Sequence, residues 1–477
     1  MADGGQSGLL PVAALFPAPH ERERIDDLLT RALLAADRRV NDGAVTPTID
    51  LAAFRRELAG FDFAESRPIE PLLAWAIDGI ERGVVHVTHP RYFGLFNPAP
   101  SFPAQCADRI AAAFNPQLAT ATTSPAAVAI EAHAIHAVVR RVGLPADSTG
   151  HFTTGGSEAN CTALICALTR AHAGFTTHGA RAFPGAPVFY VSRESHRAWV
   201  KIAHQSGIGR DAMRLVGTDG AGRLDPEALA RAIAADRAAG CVPVLVAATA
   251  GTTGAGMIDP LAACAGIARE NGMWCHIDAA WGGALIASPR LRGALAGIEE
   301  AHSVTIDAHK WFATTMGCGM FLTRDPTSLS AAFQVFTGYM PSKTDGVDPY
   351  VTSLQWSRRF AGLRLFLSLA AAGWPGYARH VERAVELAAF LEAALGERGW
   401  QIVNRSPLAV VCADPPPGSA GVRTIAERVL ASGLAWVSVA EFEGRPVLRA
   451  CVTHGETTAA DVTTLVAALE RAAAQPA

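Results

Sequence analysis

From His151 to Thr323 the chain alternates short β-branched or aromatic runs with stretches of helical periodicity, and this alternation limits the possible folds more than any other feature. Strands are expected at 151–154, 187–191, 213–216, 243–250, 273–277, 304–306 and 319–323. Two helices between them are sharply punctuated. Asp225-Pro226 and Asp259-Pro260 each read as an N-cap followed by an N1 proline, with stops at Gly240 and Gly272. The pattern predicts the α/β class with a mostly parallel seven-stranded sheet, a fold that presents ligands at the carboxyl ends of its strands.

At 477 residues the chain exceeds a single core, since cores stop growing near roughly 250–300 residues. Helical periodicity over Arg22–Arg38 and Glu70–Gly83 predicts an N-terminal helical segment within 1–88. Amphipathic helices of this kind need another domain or a second subunit to cover them. The large domain is expected over 89–375, opening with the aromatic, proline-bounded loop His89–Pro98. Beyond it, a long helix (Tyr377–Arg398), three strands near 409–412, 435–441 and 446–452, and a terminal helix from Thr458 predict a small α+β domain over 376–477.

Composition excludes several classes. A net charge of −3 without a Lys/Arg run argues against nucleic acid, and no uncharged apolar run is long enough to span a bilayer. The N-terminus, with Asp3 and Pro11, is unlike a signal peptide. Nine cysteines without C-x-x-C spacing read as reduced thiols of a cytoplasmic protein. His133 and His136 have i, i+3 spacing but no third ligand at useful distance, so no metal site is expected.

The strand ends carry the chemistry. Ser303–Ile306 delivers Asp307, His309 and Lys310 to the sheet edge, and a desolvated lysine there can serve as a nucleophilic amine toward a carbonyl. Thr153-Thr154-Gly155-Gly156-Ser157 closes a strand and opens a helix, a turn whose free N–H groups suit a phosphate dianion. Asp278 ends the strand 273–277, where a carboxylate can partner a protonated pyridine nitrogen, and small Ala280 leaves room for a flat ring. His196 follows the strand 187–191 and can stack on that ring; Thr252 and Thr253 offer hydroxyls at the same edge. Taken singly, each has an ordinary reading: a snorkelling lysine, a capping aspartate, a surface histidine. Together they describe a pyridoxal 5'-phosphate (PLP) site.

On these stretches, from about His89 to Arg449, the chain resembles the PLP-dependent group II amino-acid decarboxylases, which include the aromatic-L-amino-acid, histidine and glutamate decarboxylases. The resemblance is strongest at His89–Pro98, Thr154–Asn160, Gly251–Thr253, His276–Gly283, Asp307–Trp311 and Ser357–Arg359. It implies the fold-type I, aspartate-aminotransferase-like architecture and a homodimer with active sites at the interface. It also implies that Lys310 forms the Schiff base with PLP, that Asp278 is the pyridinium partner and His196 the stacking ring, and that Gly156, Ser157 and His309 lie at the phosphate. Tyr339 falls where the family's loop tyrosine protonates the substrate carbon, with Tyr350 as the alternative. Phe93, Phe96, Asn97 and Arg359 are the substrate-pocket candidates. Three departures stand out: Leu95-Phe96-Asn97-Pro98 replaces a Tyr-Phe-Pro-Thr run of the aromatic enzymes, Leu118 and Ala119 are smaller than expected, and Asp307 stands where those enzymes use Asn.

The expected activity is decarboxylation of an L-amino acid, aromatic by first expectation, to its amine and CO2. The alternatives are an acidic substrate, received by Arg359 and Asn97, an aminotransferase or aldehyde synthase on the same fold, and a non-catalytic dimeric scaffold.

Overall fold

The computed structural model describes residues 12–335, 337–338 and 347–474. Its centre is a seven-stranded sheet built from β1 (Thr149–Thr153), β2 (Pro187–Ser192), β3 (Met213–Val216), β4 (Val242–Thr249), β5 (Trp274–Asp278), β6 (Ser303–Asp307) and β7 (Gly319–Thr323). The order across the sheet is β1-β7-β6-β5-β4-β2-β3, with β2 to β6 parallel and β7 antiparallel to both its neighbours. β5, β6 and β7 are buried at every residue, as expected of strands covered on both faces.

Side chains alternate between two cores. Val188, Tyr190, Val246 and Ala248 point into one, and Phe189, Val191, Leu245 and Ala247 into the other. This period of two places Asp278 and Asp307 at the carboxyl edges of adjacent strands, with His276 opposite Ser303 and Asp278 opposite Thr305.

A four-stranded antiparallel sheet follows, β8 (Gln401–Ile402), β9 (Val410–Asp414), β10 (Ser438–Phe442) and β11 (Arg445–Cys451), in the order β10-β11-β9-β8. The two-residue β8 has no counterpart in the expected strands. The helix Gly362–Gly396 leads into this sheet and breaks at Gly373, whose φ of 62° is left-handed, just before Pro375. The loop His89–Pro98 reaches the small sheet: Phe93 N donates to Trp436 O, and Cys451 N donates to Phe93 O.

Among the described residues the N-terminal segment has three helices, α1 (Pro19–Asp42), α2 (Leu51–Ala59) and α3 (Ile69–Gly83). α2 was not expected, although Asp50 caps it by accepting from Ala52 N and Ala53 N. None of the side chains of α1 or α2 is buried, and in α3 only Gly79 is. Gly79 lets Phe54 lie against α3, where a Cβ would meet the Phe54 ring at 2.9 Å.

One cap differs from expectation. Asp225 does cap its helix, accepting from Glu227 N at 2.9 Å. Asp259 does not: the next helix begins at Leu261 with Pro260 as its cap. The Asp259 carboxylate instead accepts from Leu224 N (2.8 Å) and Thr249 N (2.7 Å), tying β4 to a neighbouring loop. Two buried backbone donors outcompete the local helix start for that carboxylate.

Candidate active site

The ends of β1, β4, β5 and β6 surround a cavity of about 300 Å3. Helix Gly156–Ala171 opens at its rim with no side chain capping its first turn. The N–H groups at that end therefore face the cavity beside the Ser157 side chain, an arrangement suited to an anion. Gly156 allows a close approach: a Cβ there would sit 3.0 Å from Asp307 Oδ2 and 3.3 Å from Ala280 Cβ, and those neighbours would have to give way.

Lys310 follows β6, and its Nζ lies 3.0 Å from Asp307 Oδ2. Asp307 is 2% exposed and its Oδ1 has no hydrogen-bond partner among the described residues. His309 accepts from Cys318 N at its Nδ1 (3.3 Å) and turns Nε2 toward Asp307 at 3.8 Å. Burial pushes the His309 imidazole below its ordinary pKa, against the pull of the Asp307 carboxylate.

Asp278 ends β5 and is 5% exposed. Its Oδ2 accepts from Asn160 Nδ2 at 2.7 Å and its Oδ1 from Ala280 N at 3.1 Å. The two contacts fix the carboxylate in place and leave lone pairs for a group in the cavity. His196 stands at the rim, where its Nδ1 accepts from Ala198 N at 3.1 Å. Desolvation holds this imidazole below its usual pKa although Asp278 draws it upward, so the neutral ring carries its proton on Nε2. Phe96 and Trp281 form one wall, stacked with centroids 4.1 Å apart, and the Arg449 guanidinium lies 5.1 Å over Phe96.

The cavity thus brings together Lys310, Asp278, His196, Gly156, Ser157, Thr253, Ala280, His309 and Phe96. Other candidates lie apart from its walls. Phe93 is fully buried in the main core. Asn97 is half-buried in the same loop and is not a wall residue. Arg359 is 61% exposed and pairs with Asp108 at 3.0 Å. Leu118 and Ala119 are completely buried, and Tyr350 packs on Trp356 with its N–H donating to Ala119 O. Tyr339 lies outside the described residues.

The match to known proteins is extensive. The family model described as the pyridoxal-dependent decarboxylase conserved domain matches residues 64–413. The chain belongs to this family. It is a PLP-dependent amino-acid decarboxylase, a carboxy-lyase of the fold-type I architecture. A tyrosine decarboxylase of Oryza sativa subsp. japonica is 33% identical over 404 residues, covering 80% of this chain and 75% of the relative. An L-tyrosine/L-DOPA decarboxylase of Lophophora williamsii is 30% identical over 357 residues, covering 73% and 68%. Among solved structures, mouse CSAD in apo form superposes with a TM-score of 0.89 at 26% identity, over 96% of this chain and 99% of that one. Oryza sativa TDC with PLP and tryptamine gives 0.89 at 25% identity, over 95% and 98%.

The decarboxylase's own residues fit PLP. The uncapped helix start with Ser157 suits the phosphate, and a doubly hydrogen-bonded Asp278 suits a ring nitrogen that carries a proton. The Lys310 amine stands in the same cavity for the aldehyde carbon. Asn160 was missed as a site residue although its motif was recognised. The signal that could have found it is helical spacing, since Asn160 follows Gly156 by one helical turn and so shares its face.

Proposed function

We propose that this decarboxylase converts an aromatic L-amino acid to its amine and CO2, with Lys310 as the amine that holds PLP. The observation that carries the reading is the shared cavity of Lys310, Asp278 and His196, walled by the Phe96–Trp281 stack. That wall supplies aromatic surface for a flat apolar side chain. An acidic substrate needs a cation in the pocket; Arg359 is engaged with Asp108, and no arginine lines the cavity among the described residues.

When bound, PLP supplies the electron sink for the electrons of the breaking Cα–carboxylate bond. The protein's residues then have separate tasks. Asp278 would hold a protonated ring nitrogen, a fixed charge in position beforehand. His196, its orientation set by the Ala198 N–H, would lie against the ring. Gly156, Ser157 and His309 would hold the phosphate, with Thr253 and Ala280 beside the ring. Lys310 would be the amine that holds the group. A proton reaches Cα from Tyr339, assigned on the family resemblance, or from Lys310.

The same reading includes a homodimer and a division at about residues 88 and 375. The bare faces of α1 to α3, with Leu33, Leu34, Leu51, Leu58, Ile69 and Ile80 exposed, support a second copy as their cover. Light scattering on the purified protein should give twice the chain mass.

The deciding experiment incubates the holoenzyme with each of the twenty amino acids and assays CO2, amine, aldehyde and keto acid together. Amine with equal CO2 from an aromatic substrate is the expected result. Amine from glutamate or aspartate overturns the substrate class, and aldehyde or keto acid overturns the reaction.

A further inference from the structure

Behind Asp278 a line of hydrogen bonds runs through the sheet. Trp274 Nε1 lies 2.8 Å from Ser303 Oγ, which lies 2.8 Å from His276 Nδ1. His276 Nε2 lies 3.0 Å from Asn160 Oδ1, and Asn160 Nδ2 lies 2.7 Å from Asp278 Oδ2. All five side chains are at most 5% exposed, so water cannot substitute for a broken link.

The Trp274 indole N–H can only donate, so Ser303 Oγ accepts it and keeps its own hydrogen available for His276 Nδ1; the Asp278 end fixes the remaining directions. At the other end the Asp278 carboxylate can only accept, so the Asn160 amide presents its NH2 there and its oxygen to His276. His276 must then carry its proton on Nε2. Burial pushes this imidazole down to about 4, which leaves it neutral, as the line requires.

We propose that Asn160 and His276 are positioning residues that hold Asp278 against the PLP nitrogen, and that Ser303 sets them by fixing the His276 tautomer. This rests on Asp278 being the nitrogen partner. Without the Ser303 hydroxyl the buried Nδ1 acceptor loses its donor, the Nε2–H tautomer is held by the Asn160 oxygen alone, and Thr305 Oγ1, 3.3 Å from Nε2, can compete by donating to it. Where Thr305 donates, the His276 tautomer inverts and the Asn160 amide turns over. An oxygen now faces Asp278 where an N–H had been, and the carboxylate loses its hold.

The test uses holoenzyme loaded with 15N-labelled PLP and reads two quantities, the solid-state 15N signal of the ring nitrogen and the affinity of the apoprotein for PLP. Ser303→Ala and His276→Leu should move the signal toward its unprotonated position and weaken PLP binding about tenfold, the effect of one charge-assisted hydrogen bond lost. His276→Gln, whose side-chain amide reaches the Nε2 position, should keep both near wild type. Asp278→Ala is the control for the underlying assignment. If Asp278→Ala shifts the signal while Ser303→Ala and His276→Leu do not, the line is packing only and this proposal falls alone. If His276→Gln behaves like His276→Leu, the Nε2 donor is not the operative group and the proposal again falls. If Asp278→Ala leaves the signal unchanged, Asp278 is not the nitrogen partner and both readings fall. Should His276→Leu not fold, Ser303→Ala decides, since it removes one hydroxyl away from the cavity wall.

Discussion

Lys310 Nζ lies 3.0 Å from Asp307 Oδ2, an ion pair that spans one turn at the end of β6. The pair holds the lysine in place, and it also opposes the lysine's use. To take up PLP, Lys310 must leave the Asp307 carboxylate, and the phosphate must enter a cavity that already contains that buried charge. Asp307→Asn removes both obstacles while keeping the shape. It should tighten PLP binding to the apoprotein by up to about tenfold, read by fluorescence or absorbance titration. Weaker binding in this variant would show that Asp307 acts chiefly to present Lys310.

Lys310→Ala should abolish the visible absorbance of bound PLP and all CO2 release from amino acids, because no other lysine lines the cavity among the described residues. The measurement is the absorption spectrum after reconstitution and gel filtration. A spectrum equal to wild type would remove Lys310 from its role.

The candidates that the structure gathers into one cavity share one property: local pattern alone determines where they sit. Lys310, Asp278 and His196 each follow a short apolar run, and a buried strand delivers whatever follows it to the sheet edge. Asn160 and His276 work through a contact across 116 residues, and no local pattern reports the pairing of a helix turn with a strand. Parity along β5 was the available hint, since His276 and Asp278 are two apart and share a strand face. Asp259 shows the opposite error. Its Asp-Pro signature is that of a cap, but donors 35 and 10 residues away claim the carboxylate. Phe93 and Arg359 were chosen by residue type, and type does not distinguish a cavity wall from the core or from an exposed ion pair.

Arg358 and Glu131 form a buried ion pair, 6% and 3% exposed at their side chains, and Glu131 also accepts from Gly362 N at 2.9 Å. The pair joins the helix Pro125–Val142 to the start of the helix Gly362–Gly396. Glu131→Ala strands a guanidinium in the interior and should cost about 3–5 kcal/mol of stability, measured by urea unfolding. Glu131→Gln, whose single side-chain oxygen still accepts from one of these two donors and which keeps the volume, should cost less. Equal losses would mean that the missing charge, and not the missing volume, sets the penalty.

Stability should fall as the pH drops from about 6.5 toward 4. Burial pushes His89, His276, His302 and His380 down to about 4 and His151 to about 3, and it lowers His86, His196, His309 and His454 in the same direction. In the unfolded chain these rings take up protons near pH 6.5 that the folded protein refuses, so the unfolded state gains on acidification. Four carboxyls act in the opposite sense: Asp259 is raised to about 7 by burial, and Glu131, Glu194 and Glu392 are raised as well. Each of these favours the folded state as it protonates ahead of its unfolded counterpart, but they are fewer than the nine histidines. Urea unfolding at pH 7 and pH 5 should therefore show a loss steeper than one net proton, about 1.4 kcal/mol per pH unit. An unfolding free energy that rises as the pH falls over the same interval would mean that the raised carboxyls outweigh the buried imidazoles.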